Sequence, residues 1–187
     1  IILGLDPGSA NFGYSVVQRG KRMCILEFGQ IDDTVKNLTA KAQKPPKSRK
    51  KDGPIPPLKD GMFRFLSVIE ALFNQYPIEE LNAERFQTRG IKGKSTELVS
   101  FMLGMLGLYC RQKNIKFNVT IAGTWKNRVN RCWPLDDLYV FGKELGLSPH
   151  EIDAILIGMT RGGRVNPPSL KDMKTLLKMV VAKQSTT

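Results

Sequence analysis

The sequence predicts an α/β protein, a mixed five-stranded sheet flanked by helices, and three observations predict it. Three short strand-like runs open the chain with tight connections between them, the pattern of an antiparallel meander. Apolar residues then recur at helical spacing between later strand-like runs, the alternation of β/α units. The 187 residues are 41% hydrophobic and 25% charged, a length and balance suited to one soluble globular domain.

Ile1 to Leu5 reads as the first strand, Phe12 to Gln18 as the second after a glycine-containing turn, and Met23 to Ile31 as the third. The character then changes. Lys36, Lys41, Lys44, Lys47, Arg49, Lys50 and Lys51 follow one another with no acid between them. Pro45, Pro46, Pro54, Pro56 and Pro57 fall in or near the same stretch. This composition predicts a solvated loop, either a plain linker or an arm that touches a polyanion. Phe63, Leu66, Ile69, Phe73 and Tyr76 recur at helical spacing and predict an amphipathic helix over about 60–76. Glu79 to Arg85 reads as a fourth strand, Ser95 to Lys113 as a long helix and Lys116 to Ile121 as a fifth strand. Gly104 and Gly107 give the long helix a thin face that another element can approach closely. Shorter helices are expected around Thr124–Val129, Leu135–Leu145 and Ser148–Arg161, and the composition of Ser169–Lys183 allows one more.

Charge is the informative number. Lys and Arg total 29 against 17 Asp and Glu, a formal net charge of +12. Such an excess suits a polyanionic partner, nucleic acid or an anionic membrane. No basic amphipathic helix with an oily outer face is evident, so nucleic acid is favoured. Arg85, Arg89, Lys92 and Lys94 follow Glu84 without an acid between, and Arg111, Lys113, Lys116, Lys126, Arg128 and Arg131 form a second acid-free run. Cations so placed can track phosphates. The alternative is a merely solvated basic face.

The longest oily stretch, Leu98 to Tyr109, is broken by Ser100, Gly104 and Gly107, so no membrane span is expected. No secretory leader is expected either, because the chain opens directly in a strand-like run. Cys24, Cys110 and Cys132 lack metal-like spacing, and an odd count points to free thiols in a reducing, cytoplasmic compartment.

The carboxylates carry the chemistry. Asp6 follows five mostly apolar residues with no Lys or Arg nearby, and a buried carboxylate is costly unless it is paired or binds a metal. Glu84 stands at the end of the fourth strand in "LNAERF". Ligands of open α/β sheets bind beyond strand ends, so Asp6 and Glu84 would meet there if their strands are neighbours. In "LSPHEIDAILIGMTR", Ser148 suits an N-cap, Pro149 the first helical position and Glu151 the partner of a capping box. His150, the only histidine, then shares a helix face with Asp153. Ile152, Ile155, Leu156 and Met159 form the core stripe beside them. Acidic and imidazole groups from separate elements make a hard, oxygen-rich site that suits Mg²⁺ or Mn²⁺ better than zinc. Two such ions about 3.5–4 Å apart hold the attacking and leaving oxygens of a phosphoryl displacement.

Taken together, "LGLDPGSANFGYSVV", "NAERF" and "HEID" on a late helix resemble the RuvC family of Holliday junction resolvases. The opening strand of that family carries D-P-G-S/T-x-x-x-G-Y-x-V, matched by Asp6, Pro7, Gly8, Ser9, Gly13, Tyr14 and Val16. Its fourth strand ends in a glutamate, matched by Glu84, and its last helix carries a D/H-x-x-D pair, matched by His150 and Asp153. The resemblance implies a ribonuclease H-like fold over about 1–165, with 36–59 as a basic, proline-rich insertion and 166–187 as a C-terminal tail. It implies Mg²⁺, with Mn²⁺ as a substitute, held by Asp6, Glu84, His150 and Asp153. "IAGTWKNRV" resembles the family's segment with a basic residue after the fifth strand, which puts Lys126 near the scissile phosphate. Phe86 is the nearest match to the aromatic residue that stacks on an opened junction. The implied partner is branched DNA, above all four-way junctions, contacted by Arg85, Phe86, Arg89, Lys92, Lys94, Lys126, Arg128 and Arg131 and by Lys47, Arg49, Lys50 and Lys51 of the insertion. That insertion, and the departure of Asn130–Asp137 from the usual bacterial pattern, suggest a divergent, bacteriophage-type member.

Paired cuts on a four-way junction need two sites, and a two-fold homodimer supplies them. The helix 95–113 has apolar residues to spare for such a contact: Leu98, Phe101, Met102, Met105, Leu106, Leu108 and Tyr109. The alternatives are a YqgF-type relative acting on RNA, a non-catalytic branched-DNA-binding protein on the same fold, and an actin-like ATPase or sugar kinase. The last shares the D-x-G opening but needs two such domains and a much longer chain.

Overall fold

Residues 1–8, 11–20, 23–32, 64–85, 94–159 and 168–184 are described by a computed structural model. The elements run β1 (Ile2–Pro7), β2 (Asn11–Gln18), β3 (Cys24–Asp32), α1 (Arg64–Gln75), β4 (Glu80–Arg85), α2 (Lys94–Gln112), β5 (Lys116–Ile121), α3 (Ala122–Asn130), α4 (Leu135–Glu144), α5 (Pro149–Met159) and α6 (Leu170–Gln184). They form one five-stranded sheet of order β3-β2-β1-β4-β5. The first three strands make the expected antiparallel meander. β4 and β5 add on the other side of β1, parallel to it and to each other.

Alternation along β1 divides the molecule into two layers. Leu3 and Leu5 point to the face covered by α1 and α2, where Phe65, Ile69 and Leu72 meet Met102, Leu106 and Cys110. The opposite face is covered by α3 to α6, where Trp125, Val129, Trp133, Leu138, Ile155 and Leu156 pack with Met173, Leu177 and Val180. The C-terminal helix α6 therefore contributes buried side chains to the main core. It is tied in further by the Trp133 indole, which donates to the Pro168 carbonyl at 2.8 Å.

Helix α5 lies against the centre of the sheet because the sheet is thin there. A Cβ on Gly4 would sit 2.3 Å from the Ala154 carbonyl oxygen, and one on Gly13 would sit 2.2 Å from that of His150. Only glycine permits backbone to approach backbone this closely. The Ser15 hydroxyl then donates to the Ala154 carbonyl at 2.8 Å. The start of α5 is fixed by the expected capping box: Glu151 N–H donates to Ser148 Oγ at 3.2 Å, and Ser148 N–H to Glu151 Oε2 at 2.8 Å. The turn from α4 into α5 is equally defined. Gly146 has φ +81°, its N–H donates to Lys143 and the Leu147 N–H to Gly142, which is a Schellman ending.

Candidate active site

β1 and β4 are neighbours, with Leu5 opposite Ala83, so Asp6 and Glu84 are the next residues side by side at the carboxyl ends of the two strands. α5 lies over this edge. His150 Nδ1 is 2.7 Å from Asp6 Oδ2, which supplies the partner that the first strand lacks. One turn on, Asp153 is buried and holds two donors. Lys126 Nζ donates to its Oδ2 at 2.9 Å, and the Tyr139 hydroxyl donates to its Oδ1. The Trp125 indole donates to Glu84 Oε2 at 2.6 Å. Five elements thus meet at one sheet end: β1, β4, α3, α4 and α5.

The carboxylates feel one another. Burial pushes the Glu84 carboxyl up to about 7, and the Asp6 and Asp153 charges push the same way. The Trp125 hydrogen bond and the Lys126 charge oppose them without cancelling them. Burial also raises Asp153, against the hydrogen bonds from Lys126 and Tyr139. His150 is raised by its hydrogen bond to Asp6, with burial opposing and the charges of Asp6, Asp153 and Glu84 helping. Tyr139 is raised, by burial first and then by its bond to Asp153, so it is a protonated donor throughout the neutral range.

Of the residues singled out in the sequence, Asp6, Glu84, His150, Asp153 and Lys126 are all at this sheet end. Arg85 and Arg131 are exposed and Arg128 is half-buried. Phe86, Arg89, Lys92, the Lys94 side chain and the insertion with Lys47, Arg49, Lys50 and Lys51 lie outside the described residues. Trp125 and Tyr139 were not anticipated. The one sequence signal was that Trp125 adjoins Lys126; nothing marked Tyr139, which the fold brings in from α4.

The donor chemistry, three carboxylates and one imidazole at one sheet end, fits a hard divalent cation. As the side chains stand, each is satisfied by a protein partner, and among the described residues no three His, Cys, Asp or Glu surround a common point. No described helix is long and apolar enough to cross a membrane.

No protein-family model and no curated protein matches the chain. Solved structures do. Thermus thermophilus RuvC superimposes with a TM-score of 0.56 at 15% identity, over 99% of this chain and 96% of that one. The same protein in complex with a Holliday junction substrate gives 0.56 and 15%, over 84% and 89%. The yeast mitochondrial Holliday junction resolvase Ydc2 gives a TM-score of 0.46 at 16% identity, over 99% and 83%. The chain has the ribonuclease H-like fold of RuvC.

Proposed function

We propose that this protein is a metal-dependent endonuclease that resolves Holliday junctions or related branched DNA by paired phosphodiester hydrolysis. The observation that carries this reading is the meeting of Asp6, Glu84 and Asp153, from three separate elements, beside one histidine and one lysine. Three carboxylates from separate elements share one sheet end, the charges of Asp6 and Asp153 disfavour that of Glu84, and a bound divalent cation would relieve that repulsion beyond what the protein donors supply. That the RuvC superimposed here was solved with a Holliday junction substrate supports DNA as the substrate class.

In this reading Asp6, Glu84, His150 and Asp153 hold Mg²⁺, with Mn²⁺ as a substitute. When bound, the ion supplies charge to the attacking and leaving oxygens of the phosphate. The chain's own groups do the rest. His150 hydrogen-bonds Asp6 and can carry a proton at its ring. Lys126, held at Asp153, presents an ammonium with donors to spare for a phosphate oxygen. Arg85, Arg128 and Arg131, with the net charge of +12, draw in and orient the DNA backbone.

Paired cutting further calls for a homodimer. Helix α2 offers a surface: Phe101 is 40% and Leu108 60% exposed, and a Cβ on Gly104 would meet nothing within 4 Å. The thin face at Gly107, by contrast, is used within the chain, where Phe117 of β5 would stand 3.1 Å from such a Cβ.

A second reading, a branched-DNA-binding protein without catalysis, is favoured by the way each acidic side chain is already satisfied by a protein donor. One assay separates the two. Labelled four-way junctions, forks and linear duplex are incubated with and without Mg²⁺. The nuclease reading expects symmetric cuts in the junction only with the ion; binding of the junction without cuts under any metal would establish the second.

A further inference from the structure

We propose that Trp125 and Tyr139 are positioning residues that act as one cradle, fixing Lys126 and the carboxylates of Glu84 and Asp153 in a single arrangement. The inference rests on the nuclease reading and names what holds that site in shape. The Lys126 ammonium lies 5.0 Å from the centre of the Trp125 ring and 5.8 Å from that of Tyr139, both within cation–π range. The polar end of each aromatic holds a different carboxylate: the indole holds Glu84, and the hydroxyl holds Asp153. Lys126 takes the remaining oxygen of Asp153. Three consecutive contacts therefore run from Glu84 through Trp125 and Lys126 to Asp153, and Tyr139 closes them.

Trp133 is the internal contrast. It is also buried, and its indole also needs an acceptor. It finds a backbone carbonyl, that of Pro168, which answers the structural need at no charge. Trp125 spends its donor on an acidic side chain at the sheet end. Tyr139 likewise sits on a helix that carries no carboxylate of the site, and its hydroxyl can only donate to Asp153. Groups that orient a carboxylate in this way typically matter by about 10–100-fold in metal affinity or activity.

Tyr139→Phe deletes one polar group and keeps its ring, whereas Trp125→Phe deletes the indole N–H together with part of a fully buried ring system. Each is expected to lower kcat on a four-way junction by about 10–100-fold with junction Kd within about twofold; the melting temperature should hold within a few degrees in Tyr139→Phe and fall further in Trp125→Phe, which also opens a cavity. The double variant should lose less than the product of the single losses, because the first already opens the cradle. Manganese alone provides a readout independent of cutting. Titration followed by the electron paramagnetic resonance of the free ion should show half-saturation raised about tenfold or more in each variant. Two variants that cut like the parent overturn the proposal, as does a kcat that falls only in step with junction affinity or melting temperature. A parent protein that takes up Mn²⁺ but cuts no branched DNA ends the nuclease reading alone, and the manganese titration then decides the cradle. A parent that neither cuts nor takes up Mn²⁺ ends both.

Discussion

Asp6 and Asp153 are buried and Glu84 is half-buried, and each carboxyl is answered by a different donor: an imidazole, an ammonium with a phenol, and an indole. Asp6→Asn, Glu84→Gln and Asp153→Asn keep the shape and remove the charge. Each is expected to reduce junction cutting by at least about a hundredfold while leaving junction affinity intact, read by gel assays of cleavage and binding. His150→Ala should slow cutting strongly without abolishing it, since the carboxylates remain. Titration gives a second expectation. Glu84 is raised to about 7, so the metal-free native state favours its proton more than the unfolded chain does. That contribution to stability is complete below the ordinary glutamate range and is lost as pH rises through about 7. Glu84→Gln should therefore leave the melting temperature unchanged near pH 4 and raise it near pH 8, both in chelator. A difference that does not grow with pH would contradict the burial of this charge. Asp6, Glu84, His150 and Asp153 were legible in the sequence because strand-end and helix-face positions follow from local pattern. Trp125 and Tyr139 were not, because an aromatic residue at helical spacing reads as core, and only tertiary placement shows where its polar end goes.

Helix α5 brings two of the site residues to the sheet, and its seat depends on backbone contact. Gly13→Ala would drive a methyl group into the His150 carbonyl, so it should displace the start of α5 and reduce cutting more than Ser148→Ala does. Ser148→Ala removes one half of the capping box and should lower stability by about 1 kcal/mol, measured by denaturant unfolding, with the site otherwise intact. Equal effects of the two would mean that the close approach does not set the site. The capping box, the strands and the helix periods were all readable, because caps and alternation are local. Two boundaries shift for physical reasons. β1 runs on through Asp6 to Pro7, because β2 pairs with it to its end, while the ladder with β4 stops at Leu5. α3 begins at Ala122, straight after β5, on an Ile121 N-cap without a side-chain hydrogen bond, so no start signal exists in the sequence. The pairing of β1 with β4 was also beyond local pattern, since parallel neighbours are joined through a long crossover and not through a local turn.

At the scale of the whole molecule, the proposed function makes charge and symmetry govern the encounter with DNA. With a net charge of +12, affinity for branched DNA should fall at least about tenfold between 50 and 200 mM salt; a flat response in a fluorescence anisotropy titration would remove the electrostatic account. Sedimentation at micromolar concentration should give roughly twice the 21.0 kDa chain mass. Gly104 faces open space, so Gly104→Leu is accommodated within one chain. The variant should nevertheless shift the protein toward monomer and uncouple the two nicks, whereas an unchanged mass would place any dimer contact elsewhere. The central claim is that the carboxylates meeting at this sheet end cut a junction. The most direct test compares the parent protein and Glu84→Gln on one labelled four-way junction in Mg²⁺, reading binding and cleavage together. The account predicts paired, symmetric nicks by the parent and an equally well bound, essentially uncut junction with the variant; equal cutting by both, or no cutting by the parent, would contradict it.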